Sequence, residues 1–119
     1  MQKENIIKDR AFEFALQSID LYKALNRNNE YVFAKQFIRS ATSIGANINE
    51  SQAGISKRDF VAKMSIASKE SREAAYWLQL LQKSKLINYD YTLLLSMSDE
   101  LLKILTAILK TSQTTIEKL

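Results

Sequence analysis

Apolar residues recur along this chain with the period of a helix. The clearest run is Phe33 to Glu50, FAKQFIRSATSIGANINE, where Phe33, Phe37, Ala41, Ile44 and Ile48 fall at spacings of four and three and share one helical face. The opposite flank carries Arg39, Ser43, Ala46 and Glu50, small and polar residues with a cation and an anion at its ends. A helix built this way can be approached closely on both sides. The spacing predicts a helix from near Asn29 to about Gln52, entered through the turn Asn26-Arg27-Asn28-Asn29 and closed by Gly54 as a left-handed C-cap.

Three further helices follow from the same reasoning. One runs from about Ile6 to Leu25, with Phe12, Ala15, Leu16, Ile19 and Tyr22 as its main apolar stripe. Phe14, Leu21 and Leu25 widen that stripe beyond the ~100° a surface helix needs. Asp9, Glu13, Gln17 and Asp20 occupy the remaining narrow face, read as solvated and not as a metal site. The next helix spans Lys57 to Ser84, with Ser56 as N-cap and Asp59 as the third residue of a variant capping box. Its core stripe is Phe60, Met64, Ala67, Ser71, Ala74, Leu78 and Leu81, while Ile66 and Trp77 point in a second apolar direction. The last runs from about Tyr91 to Ser112, with Asn88 and Asp90 as cap candidates and apolar residues over more than half of its circumference. Residues 1 to 5 and the polar tail from Gln113 to Leu119 are expected to fray. Four helices joined by turns of a few residues predict an all-α, antiparallel up-down-up-down four-helix bundle, a single domain over residues 1–119.

A monomeric bundle turns roughly a third of each helix inward. The first and last helices offer more, and exposing apolar area costs about 25 cal/mol per Å². The excess predicts a homo-oligomer whose interfaces use the spare apolar arcs of those two helices and the small-residue flank of the second.

Composition narrows the chemistry. The 119 residues include no cysteine and no histidine, which removes disulfides, thiol chemistry and the commonest general base and metal ligand. Serines abound without a histidine to activate one, and Gly45 and Gly54 make no phosphate-cradling loop. A non-enzymatic protein with no cofactor and no metal is expected. The absence of proline suits an almost wholly helical chain. MQKENIIKDR lacks an apolar core of signal-peptide length, and no run approaches the ~20 apolar residues of a membrane span, so the expected setting is cytoplasmic with no membrane partner. The net charge of +4 permits an acidic partner without requiring one.

Individual residues refine this. Arg39 and Glu50 are three turns apart, too far to pair with each other, and each is expected to pair elsewhere. Glu73, near Trp77, is the candidate partner for Arg39; the competing reading puts Arg39 on a phosphate. Asn47 lies on the flank beside Ser43, where a buried asparagine fixes register. Trp77 reads as an interface or core anchor, with base stacking as the second reading. Arg58, Lys69, Arg72 and Lys83 project opposite the core stripe of their helix with Tyr76 among them. On one subunit this is a solubilising face. Repeated around an oligomer it becomes a candidate nucleic-acid surface, because counterion release scales with the phosphates neutralised, and Tyr76 is available to stack.

FAKQFIRSATSIGANINESQ followed by SKRDFVAKMSIASKESREAAYWLQLL resembles the four-helix-bundle family named for the 23S rRNA intervening-sequence protein, which includes the accessory variability proteins of diversity-generating retroelements. Phe37, Arg39, Ser40, Ser43, Ile44, Asn47, Ile48 and Glu50 match the first motif. Asp59, Phe60, Ala67, Glu73, Tyr76, Trp77 and Leu78 match the second, whereas Arg72 stands where many members have a small residue. The resemblance implies an up-down bundle, ring-like homopentamers with a basic surface and, in the retroelement members, binding to nucleic acid and a reverse transcriptase. The combined reading is a pentameric module that binds RNA, DNA or a nucleoprotein partner. The alternative is a structural scaffold that engages another protein without touching nucleic acid.

Overall fold

Asn29 adopts the left-handed conformation, with φ 63°. The Glu30 amide donates to the Leu25 carbonyl at 2.9 Å and the Asn29 amide to the Asn26 carbonyl at 3.0 Å. These are the paired bonds of a Schellman motif, so Asn29 terminates the first helix and does not begin the second. In the computed structural model, which describes residues 2–53 and 56–117 with side chains over 6–53 and 56–114, the helices are α1 (Gln2–Arg27), α2 (Tyr31–Gln52), α3 (Lys57–Ser84) and α4 (Thr92–Glu117). The second helix therefore starts after the expected point. The first and last extend into segments expected to fray; within α4 the tail keeps helix-forming Gln113 and Glu117 and meets no breaker. Gly54, expected as a C-cap, lies outside the described residues.

Local sequence explains the remaining ends. The Ser56 side chain accepts from the Asp59 amide at 3.1 Å, the N-cap half of the expected box. Lys85 closes α3 at φ 54°, a left-handed site filled by a residue other than glycine. Asp90 accepts from the Thr92 amide at 3.0 Å, and its hydrogen bonds with Thr92 hold its carboxyl below the usual range.

Each helix packs against two neighbours, α1 on α2 and α4, and α3 on α2 and α4. Antiparallel pairing fits the contacts: Ser51 meets Met64 while Arg39 meets Glu70, and Arg10 meets Glu100 while Asp20 meets Tyr89. The result is a rod of 51 × 21 × 20 Å.

The buried positions form one repeat used by all helices. The repeat runs through 7, 11, 14, 18, 21 and 25 on α1; 34, 37, 41, 44, 48 and 51 on α2; 64, 67, 71, 74, 78 and 81 on α3; and 94, 98, 101, 105, 108 and 112 on α4, with Ala24, Ser40, Ser68 and Glu70 buried beside it. Alternating steps of three and four are the seam of a coiled-coil-like bundle. Serines hold several of these positions, and the hydroxyls of Ser18 and Ser71 are buried without a partner among the described residues.

The repeat corrects the reading of α1. Its core face is Ile7, Ala11, Phe14, Ser18, Leu21 and Leu25, while Phe12, Leu16 and Ile19, expected inside, are exposed. It also corrects α4: Leu95, Met97, Ile104 and Leu109 pack against the core, so the spare apolar arc is largely covered within the chain and, among the described residues, Leu93 is the one large apolar side chain of α4 left exposed. Among the described residues no helix is long and apolar enough to cross a membrane.

Candidate nucleic-acid interface

Helices α2 and α3 are tied by a charged seam. The Arg39 guanidinium donates to Glu70 Oε1 at 3.5 Å and to Glu73 Oε2, the partner expected from the sequence. Trp77 Nε1 donates to the same Glu73 oxygen at 3.3 Å. Phe33 meets the Trp77 ring edge-on at 6.2 Å and Tyr76 meets it at 5.4 Å. Glu70 is buried and pairs there with Arg39. Arg39 and Trp77 thus make these contacts within the subunit, with Trp77 half-buried in the seam.

The rest of the α2 motif is bonded locally. Ser43 Oγ donates to the Arg39 carbonyl at 2.6 Å, and Asn47 Nδ2 donates to the Ser43 carbonyl at 2.8 Å. Such back-bonding orients Asn47 along its own helix, in place of the register role expected across helices. Glu50 is exposed and its carboxylate has no partner among the described residues, contrary to the expected pair.

The basic residues of α3 stand apart from this seam. Arg58, Lys69, Arg72 and Lys83 are all exposed, with Tyr76 59% exposed between them. At 1.5 Å per residue the row from Arg58 to Lys83 extends about 38 Å, most of the 51 Å rod. None of Arg58, Lys69 and Lys83 forms an ion pair among the described residues. The reason is the placement of the acids: Glu70 and Glu73 are turned onto Arg39, leaving the outer face without them. Arg72 sits at the edge of the row, where its Nη1 donates to Ser68 Oγ at 3.2 Å and it lines a groove shared with Lys110 of α4. Lys110 was missed by sequence reasoning. Its signal is the polar series Thr106, Lys110, Gln113 at steps of four and three, which marks an α4 flank.

A second groove runs between α1 and α2 and includes Phe12, Ala15, Gly45 and Ala46, with a volume of about 450 Å³. Small residues on α2 keep it open beside the exposed Phe12 ring. Asp9 and Glu13 lie along it, and Asp20 accepts from the Tyr89 hydroxyl at 2.7 Å instead of facing only solvent. Among the described residues no group of three or more His, Cys, Asp or Glu is placed to hold a metal ion.

The family model of the 23S rRNA-intervening sequence protein matches residues 3–107. The chain belongs to this family. A solved crystal structure from Bacteroides thetaiotaomicron, a protein of unknown function from the S23 ribosomal protein family, is 44% identical, with coverage of 91% of this chain and 98% of that one and a TM-score of 0.85. No curated protein matches. Membership in the 23S rRNA-intervening sequence protein family extends over both sequence motifs, so the Arg39–Glu73 seam and the α3 row lie within the matched region.

Proposed function

We propose that this protein is a non-enzymatic, self-associating binding module, a ring of five subunits whose α3 rows together hold a nucleic-acid backbone. The count of five comes from the family resemblance; the tendency to associate comes from the exposed Phe12, Leu16 and Ile19 of α1. The observation that carries the nucleic-acid reading is the segregation of charge on α3, with its buried-side acids neutralised by Arg39 and its outer cations unpaired. One row contributes only a few phosphate contacts, and a ring multiplies them, which steepens both affinity and its dependence on salt.

A mobility-shift titration with single-stranded RNA at low salt tests this. The wild-type protein is expected to shift the RNA and to release it as salt rises. Lys69→Glu with Arg72→Glu is expected to abolish the shift while the oligomer stays intact. An oligomer that binds neither heparin nor RNA would instead be the protein-binding scaffold.

A further inference from the structure

The groove between α3 and α4 has a chemistry of its own. Ser68, Arg72, Thr106, Lys110, Gln113 and Thr114 line it, with Leu109 at its floor, around a volume of about 300 Å³. Two cations face the same space, and no carboxylate is among the described residues that line it. Two cations on one groove with no carboxylate in its described lining give it a positive potential that favours an anion.

Arg72 is also held in place. Its Nη1 is bonded to Ser68 Oγ at 3.2 Å, and Ser68 is buried, 3% exposed. One of the five guanidinium N–H donors is used there, and the others remain for a ligand. The threonines serve differently. Thr106 Oγ1 donates to the Leu102 carbonyl at 2.7 Å and Thr114 Oγ1 to the Lys110 carbonyl at 2.9 Å. Their protons are committed, so the donors left to meet an anion are Arg72, Lys110, the Gln113 amide and the Ser68 hydroxyl, which only accepts from Arg72. A planar fork beside a mobile ammonium suits a phosphate oxyanion.

We infer that the Arg72–Lys110 groove is a phosphate-binding site, and, resting on the nucleic-acid reading above, that it seats one backbone phosphate of a strand running along the α3 row. Lys69 lies one turn along α3 from Arg72, about 4.5 Å in rise, which is close enough for the neighbouring phosphate of the same strand. The groove thereby gives the row a fixed starting point, and it adds α4 to a surface otherwise made by α3 alone.

Lys110→Gln separates the two ideas, since Lys110 is exposed and outside the α3 row. Fluorescence anisotropy with labelled polyuridylate over a salt series reads the strand, and the thermal midpoint with added inorganic phosphate reads the groove. The expected result is an affinity about fivefold lower at 0.1 M salt, and a salt slope shallower by about 0.7, for each Lys110→Gln subunit that the strand meets. Inorganic phosphate is expected to raise the midpoint of the wild type and not of the variant. RNA binding with an unchanged slope in Lys110→Gln overturns the groove and leaves the nucleic-acid reading standing. Stabilisation by phosphate that depends on Lys110, with no RNA bound, keeps the oxyanion site, assigns it to free phosphate and overturns the strand. Absence of both effects overturns the site.

Discussion

Arg39 concentrates two ion pairs in one side chain, and its removal exposes their dependence. Glu70 is buried and Glu73 half-buried, and both are neutralised by a guanidinium that is itself half exposed. Losing a partner from a fully buried pair costs 3–5 kcal/mol, and exposed pairs are worth little. Arg39→Ala is therefore expected to destabilise the bundle by about 1–3 kcal/mol in denaturant unfolding. Adding Glu70→Gln should recover part of that loss, because the stranded charge is gone. A change within about 0.5 kcal/mol for the single variant would mean that solvent screens the seam.

Tyr89 provides the pH dependence at this scale. Burial first, then its hydrogen bond to Asp20, pushes its phenol well above the ordinary value of 10.0; burial raises Tyr91 as well. The neutral phenol is the form the fold prefers. Its stabilisation is complete below the unfolded value of about 10 and is lost as pH climbs from there toward the folded value. Unfolding midpoints measured across the alkaline range should fall for the wild type above about pH 10. Tyr89→Phe should fall less steeply, since it has no proton to lose at that position, and parallel curves would show that the phenol stays solvated.

At the scale of the helices, Gly45 shows what the close contact of α1 and α2 permits. A Cβ there would lie 3.7 Å from Ala11 Cβ, ordinary van der Waals contact, in a helix where glycine is conformationally costly. Gly45→Ala is expected to stabilise the bundle by about 0.5–1 kcal/mol in denaturant unfolding; a loss would show that the α1–α2 contact is tighter than this spacing. The helices themselves were readable from periodicity, and so was α3 in detail, because its buried face contains Met64, Ala67, Leu78 and Leu81 at unambiguous steps. The phase of α1 was not. Its buried face includes Ala11 and Ser18, and its exposed face carries Phe12, Leu16 and Ile19, so a ranking by hydrophobicity selects the wrong side. What identifies the right side is the three-four repeat shared by all the helices, a property of the bundle and not of α1 taken alone. The same limit hid the Lys110 groove: a pairing of α3 with α4 depends on the phase of both, and α4 is apolar around most of its circumference.

At the scale of the whole molecule, the exposed α1 row is the surface on which the proposed association rests. Phe12 is 64% exposed, Leu16 48% and Ile19 40%, on successive turns beside the open α1–α2 groove. Apolar area of this kind is released from water only by another surface. Phe12→Glu with Leu16→Glu is expected to give particles of subunit mass in light scattering, with the helical signal of the wild type, because neither residue belongs to the buried repeat. An unchanged oligomer mass in the variant would place the contact elsewhere, and a monomeric wild type would remove self-association altogether. The same variant also tests whether nucleic-acid binding depends on the proposed ring. It keeps Lys69, Arg72 and Lys110 intact, yet presents one row at a time. Affinity for a long single strand should collapse, and the salt slope should fall toward that of the few phosphates one subunit meets. Binding as tight and as salt-sensitive as that of the wild type would show that each subunit grips its strand independently, and that association serves some other contact of the α1 face.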